Sequence, residues 1–176
     1  MIPRTLYDSD HEMFRSSVRK FIETEAMPHH EQWEKDGMVS DDVWLKAGEQ
    51  GFLCPMVPEQ YGGVSTDFRY NCILNEEVGR SGCTGLGWTL HNDISVPYIV
   101  RYGSDFQKDK YLPRCVSGEL ITAIAMTEPG AGSDLQGTKT TAVLDGDHYI
   151  LNGSKTFITN GQKAALVIVV EKTDTT

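Results

Sequence analysis

The sequence predicts an α+β chain, with an N-terminal all-α helical bundle over residues 1–118 and an incomplete antiparallel β-sheet or barrel domain over residues 119–176. Apolar residues recur at helical spacing through the first two thirds. After Gly118 the period changes to two, and hairpin-type dipeptides stand between the apolar runs. No helix-length segment separates those later runs, so an antiparallel arrangement is expected.

The helices follow in order. Ser9 with Glu12 is a candidate capping box, and Phe14, Val18, Phe21, Ile22 and Ala26 follow at helical spacing. Pro28 lacks an N–H and should end or kink this helix. A second helix is expected from Ser40, carrying Val43, Trp44 and Ala47 and stopping at Gly48 or Gly51. Pro55, Pro58 and the Gly62-Gly63 pair make residues 51–63 a loop. A third helix fits residues 67–80 and a fourth fits 87–101, where Pro97 is tolerable only near an end or as a kink. Ser104 and Gln107 give another capping box, opening a fifth helix that fades between Pro113 and Gly118. Trp33, Trp44 and Trp88 sit at these apolar spacings and read as core.

Strands fit residues 120–127, 138–144, 147–151, 155–159 and 164–170. Asp145-Gly146 and Asn160-Gly161 read as hairpin turns. The last run, Ala164 to Val170, is nearly continuous in apolar residues and should be buried on both faces, with a neighbour on each side. It ends six residues before Thr176, so the sequence reads as cut in the middle of a domain.

Composition excludes several function classes. Sixteen Lys and Arg against 25 Asp and Glu give a net charge of −9, with no basic run, which argues against nucleic acid and anionic membranes as partners. No apolar run approaches the ~20 residues of a membrane span, so no membrane insertion is expected. The N-terminus shows neither a secretory core nor an Arg/Ser-rich transit segment. A cytoplasmic protein is expected, although a mature mitochondrial-matrix form would look the same. Cys54, Cys72, Cys83 and Cys115 include no C-x-x-C pair and read as free thiols. The His29-His30 pair points its side chains apart, so no metal site is expected.

Two blocks carry the chemistry. In the first, Ala125, Met126, Thr127, Glu128, Pro129, Gly130, Ala131, Gly132, Ser133 and Asp134 follow an apolar strand-like run ending at Ile124. Glycines allow close approach of backbone to a ligand, and exposed N–H groups with hydroxyls can cradle a phosphate or the edge of a flavin. Gly130 to Gly137 has the wrong spacing for a dinucleotide fingerprint, and a β-branched strand, not a helix, follows it. A fixed carboxylate at Glu128 or Asp134 is expected to organise the loop through backbone N–H groups. The second block, Leu151 to Gly161, places Phe157 and Thr159 two apart on an expected strand, on one face, where both could address one planar ligand.

These two blocks resemble signatures of the acyl-CoA dehydrogenase family. A-M-T-E-P-G-A-G-S-D is similar to the family's first signature, and N-G-S-K-T-F-I-T-N-G to its second flavin-contacting segment. The likeness begins near Phe14-Arg15-Ser16-Ser17-Val18 and covers nearly the whole chain, looking most like the long-chain branch. The resemblance implies FAD as cofactor, with Ile124 to Ser133 lining the flavin. It places the Thr127 hydroxyl at the pyrimidine side of the ring, and Gly132 and Ser133 near the pyrophosphate. Ser133 would also approach the bound acyl-CoA. Phe157 would pack on the ring where many relatives carry Trp, Ile158 would lie between, and Thr159 would approach N5.

The same resemblance implies α,β-dehydrogenation of an acyl-CoA thioester to a trans-2-enoyl-CoA, with hydride passing to FAD N5. It implies an electron transfer flavoprotein as acceptor and a homo-oligomer, by family a tetramer. The catalytic glutamate is expected outside these residues, in an absent C-terminal helical domain, so no catalytic residue is assigned here and the isolated chain is expected to be inactive. His91 falls in a helix that lines the acyl cavity of the family, but a satisfied core or surface histidine is the expected role. Two alternatives stand beside this reading: an acyl-CoA oxidase, and a non-catalytic binding or assembly module made by truncation.

Overall fold

The computed structural model describes residues 5–173. Six α-helices precede the first strand: α1 (Ser9–Phe21), α2 (Met27–Asp36), α3 (Asp41–Glu49), α4 (Phe68–Ser81), α5 (Val96–Tyr102) and α6 (Asp105–Ser117). Four short strands follow: β1 (Thr122–Ala125), β2 (Thr141–Asp145), β3 (His148–Asn152) and β4 (Leu166–Val169). The α+β architecture is the one expected from the sequence.

Helix ends are set by local side chains. Ser104 and Gln107 form the expected capping box on α6, and Ser40 caps α3. The box on α1 lies one residue earlier than expected. Asp8, not Ser9, accepts the N–H groups of Asp10 and His11, and His11, not Glu12, answers it. A carboxylate in extended backbone immediately before the helix is the stronger acceptor for free N–H groups at the positive end of the dipole.

Pro28 and Pro97 do not end their helices. Each follows a widened π turn, Ile22–Ala26 and Leu90–Ser95, in which Met27 N–H returns to Ile22 O and Val96 N–H to His91 O. The wider turn moves the carbonyl that a pyrrolidine ring would otherwise strike, so the chain continues as α2 and α5.

The core lies among the helices. Trp44 and Trp88 are buried, and Phe52 receives Phe14 and Phe21 edge-on at centroid separations of 5.7 and 5.3 Å. Burying side chains of this size stabilises by about 1.5–3 kcal/mol each. One buried charge ties α1 to α4. Glu77 takes Arg19 at 2.9 Å, Arg80 at 2.9 Å and Arg15 at 3.2 Å, and these cations, Arg19 foremost, hold its carboxyl down at about 2. The four cysteines are free thiols, and no helix among the described residues is long and apolar enough to cross a membrane.

The strands depart from the expected pattern in three respects. β2 and β3 form the expected antiparallel hairpin, its turn at Gly146-Asp147 and not Asp145-Gly146 because Asp145 still pairs with His148, but β1 and β4 pair in parallel, Thr122 opposite Leu166. A parallel return needs a long crossover, and here the hairpin and an irregular return segment supply it instead of a helix. The expected strand at 155–159 does not form. Phe157 holds φ +56° there, and 159–163 is a tight turn in which Asn160 O accepts from Lys163 and Ala164, not a two-residue hairpin. Finally, β4 is half-buried, and β1 is its strand partner among the described residues. Beyond β4, Lys172 pairs in parallel with Thr141, which draws the hairpin beside the same segment.

Candidate functional site

β1 delivers the first block. Ile124 and Ala125 are buried in the sheet, and the chain emerges through the half-buried Met126 and Thr127. Glu128 and Ala131 then close a tight turn through two backbone bonds of 2.8 and 3.2 Å, with Pro129 and Gly130 at its tip. Pro129, Gly130, Gly132 and Ser133 are exposed.

Glu128 organises this loop, as its sequence context implied. Its buried carboxylate accepts the N–H groups of Lys139 at 2.7 Å and Thr140 at 2.9 Å, the Thr140 hydroxyl, and Lys155 Nζ at 2.9 Å. The Thr140 hydroxyl and then the Lys139 N–H hold the carboxyl down at about 2, so it is ionised at neutral pH. With its oxygens occupied, this side chain holds the loop in place and is not free to act as a base.

The second block is brought against the first. Thr156 N–H donates to Thr127 O at 2.9 Å, and Lys155 Nζ donates to Met126 O at 2.9 Å as well as to Glu128. Phe157 and Thr159 are exposed and Ile158 is half-buried. The shared strand face expected for Phe157 and Thr159 is absent because no strand forms. Their neighbourhood to Thr127 comes from the bonds at Lys155 and Thr156.

Gly130, Gly132 and Phe157, unlike Gly153, have no packing use among the described residues. At Gly153 an added Cβ would lie 2.3 Å from Thr140 Oγ1, so packing alone demands glycine there. At Gly130 and Gly132 an added Cβ would meet nothing within 4 Å, and neither residue has a left-handed φ. Neither packing nor conformation requires those two glycines. Phe157 is 93 % exposed and adopts a left-handed backbone, which costs an aromatic residue on the order of 1–3 kcal/mol. An exposed aromatic residue one position past the Thr156–Thr127 bond and an open glycine loop three past Thr127 suit a flat ligand with an anionic extension.

The block is also anchored to the helices, through Asn160 and through His91, which is the satisfied core histidine the sequence suggested. His91, on the π turn before α5, is completely buried. Its Nε2–H donates to Cys115 O at 3.0 Å, while Nδ1 lies 3.2 Å from Thr122 N and 2.8 Å from Thr122 Oγ1. Burial pushes its pKa down to about 4, so the imidazole is neutral and fastens the start of β1 to α6. Asn160 Nδ2 donates to Gly87 O and Thr122 O, at 3.3 and 3.2 Å. Lys155 and Asn160, both within the second quoted motif, were the available signal, but their partners lie far away in sequence. A cavity of about 420 Å³ lies between the end of α2 and the turn at 158–163. Of the expected contacts only Ile158 lines it, so the surface around Thr127, Phe157 and Gly132 lies outside that cavity.

Residues 8–119 match the acyl-CoA dehydrogenase N-terminal domain and residues 123–176 match the acyl-CoA dehydrogenase middle domain. The long-chain specific acyl-CoA dehydrogenase, mitochondrial, of Mus musculus is 52% identical over 171 residues, covering 97% of this chain and 40% of its own length. The crystal structure of an acyl-CoA dehydrogenase from Geobacillus kaustophilus superposes with a TM-score of 0.94 at 57% identity, covering 98% of this chain and 45% of that one. A glutaryl-CoA dehydrogenase from Mycobacterium smegmatis, solved in complex with FADH2, superposes at 0.89 with 32% identity over 96% of this chain and 44% of that one. The chain thus spans less than half the length of these relatives. With the helical unit, the emerging β segment and the two locked blocks all matched, this chain belongs to the acyl-CoA dehydrogenase family.

Proposed function

We propose that the protein carrying this chain is an FAD-dependent dehydrogenase that converts an acyl-CoA thioester to its trans-2-enoyl-CoA, acting on longer or branched acyl chains. FAD, when bound, supplies the hydride acceptor. The observation that carries this reading is the lock between the blocks. Thr156 on Thr127 and Lys155 on Met126 and Glu128 bring the open Gly130–Gly132 loop and the bare Phe157 onto one surface.

The roles proposed for the residues are those the family resemblance implies, set on that surface. Ile124 to Ser133 would line the flavin, with the backbone at Gly130 and Gly132 open to the cofactor's phosphates. Phe157 would cover one face of the ring, with Ile158 packed beneath it and Thr159 beside its edge. Ser133, exposed at the loop's far side, would contact acyl-CoA. The chain's share of catalysis is to bind and orient both molecules and exclude water between them. Neither Glu128 nor Glu77 is available as the base that takes the α-proton, because each carboxylate is held by several donors. That base is proposed to lie outside residues 1–176. Division into a helical unit ending near Gly118 and a β unit from 119 belongs to the same proposal. So do an electron transfer flavoprotein as acceptor and a homotetramer. The proposed compartment is the cytoplasm, with the mitochondrial matrix as the alternative, and the mouse relative is named as mitochondrial.

The test is anaerobic mixing of the full-length flavoprotein with acyl-CoA of short, long and branched chains. Loss of the oxidised flavin absorbance is expected with at least one, and with none for residues 1–176 alone. Retention of the oxidised spectrum with every thioester would overturn the proposed activity, and bleaching by the isolated chain would overturn the placement of the base.

A further inference from the structure

The segment from Lys155 to Asn160 crosses beside β1 in the opposite direction, and its two ends are fastened by different devices. At one end Lys155 Nζ, only 11 % exposed, donates to Met126 O and Glu128 Oε1, and Thr156 N–H donates to Thr127 O. At the other end Asn160 Nδ2 donates to Thr122 O, at the start of β1, and to Gly87 O, where the helical stretch leading into α5 begins. Asn160 holds φ +62°, a conformation that Asn tolerates better than most residues. Gly87 makes room for it: a Cβ there would lie 2.3 Å from Asn160 Oδ1, and Gly87 itself has φ +68°. His91 holds the same Thr122 from the helical side.

Between these ends stand Phe157, Ile158 and Thr159, with Phe157 strained and uncovered. A strained three-residue arch keeps its shape only while both ends are fixed, because release of either lets φ of Phe157 relax. We propose that Lys155 and Asn160 are paired positioning residues. Neither touches the flavin, and together they hold the Phe157–Thr159 arch in the shape that receives it. This inference rests on the proposed function. Its distinctive consequence is non-additivity: once one end is free the arch is lost, and freeing the other adds little.

The experiment uses the full-length protein, stripped of flavin and titrated with FAD. Lys155→Met removes the charge and keeps the apolar stem, and Asn160→Gly keeps the left-handed backbone and removes both amide bonds. Each is expected to weaken FAD binding by about tenfold or more. The double variant should be no more than about twofold weaker than the poorer single. Lys155→Arg, which keeps a donor, should recover most of the affinity. The thermal midpoint of the apoprotein serves as the folding control, and Asn160→Asp, equal in size without the donor, replaces Asn160→Gly if that variant does not fold. Unchanged affinity in both single variants, or losses that multiply in the double, would overturn the pairing. Failure of the wild-type protein to bind FAD would instead overturn the proposed function.

Discussion

His91 shows how one buried side chain can set a pH limit. Its imidazole is neutral in the folded protein, with a pKa near 4 against 6.5 for a free histidine. Between those values the unfolded chain takes up a proton that the folded chain refuses, so stability is complete above about pH 6.5 and falls as the solution is acidified toward 4. The expected loss between pH 7 and pH 5 is on the order of 2 kcal/mol. Urea unfolding of the wild type and His91→Gln at both pH values should show that drop in the former and a flatter response in the latter. Equal pH dependence would count against the buried neutral imidazole. The glycines give a second comparison at this scale. Gly132→Ala meets open space and should change stability by less than about 1 kcal/mol, yet weaken FAD binding in the full-length protein. Gly153→Ala drives a methyl into the Thr140 hydroxyl held by Glu128 and should destabilise by about 1–3 kcal/mol. A Gly132→Ala protein with wild-type FAD affinity would argue against a cofactor over that loop.

Among the elements, α1 and α4 are joined by one carboxylate held by three guanidinium groups. Glu77 is 2 % exposed beneath Arg15, Arg19 and Arg80, two of which are nearly half exposed. Glu77→Gln should cost about 2–4 kcal/mol, less than a fully buried triad would, because solvent screens the outer arginines. Chemical denaturation checks this, and a change below about 0.5 kcal/mol would show the cluster to be peripheral. The elements also show what a sequence can convey. The α6 box was legible because Ser104 and Gln107 are three residues apart and find each other without outside help. The α1 box was ambiguous because Asp8 and Ser9 are adjacent acceptors, and backbone conformation decides between them. The alternating pattern of 155–159 promised a strand, but distant bonds from Lys155 and Asn160 override that local preference. The parallel pairing of β1 with β4 depends on where a forty-residue excursion returns, which no local window records. That both motifs belong to the acyl-CoA dehydrogenase family was, by contrast, legible. Their mutual fastening was not, since it depends on partners 27 to 73 residues away.

At the level of the whole molecule, apolar surface is distributed unevenly. Val143, Leu144, Tyr149, Ile150 and Leu151 on the β2–β3 hairpin are each roughly half exposed, while the helical core is closed. With Val143 and Ile150 on one face and Leu144, Tyr149 and Leu151 on the other, both faces of the hairpin are apolar and open, as in surface that is covered in an assembly or by more chain. Residues 1–176 on their own are therefore expected to bind the dye ANS strongly and to self-associate, and Leu144→Lys with Leu151→Lys should reduce both effects without altering helical content. Weak dye binding by a monodisperse wild-type fragment would contradict this. The two widened turns have a consequence at the same level. Each holds one more residue than a regular turn, and a residue advances an α-helix by about 100° in azimuth. Excising one residue from either would straighten the hydrogen-bond ladder but rotate everything C-terminal to it by over a quarter of a revolution, swinging Trp33 or Ile99 out of phase with the core. The turns before Pro28 and Pro97 act as phase adjusters for the downstream faces of their helices.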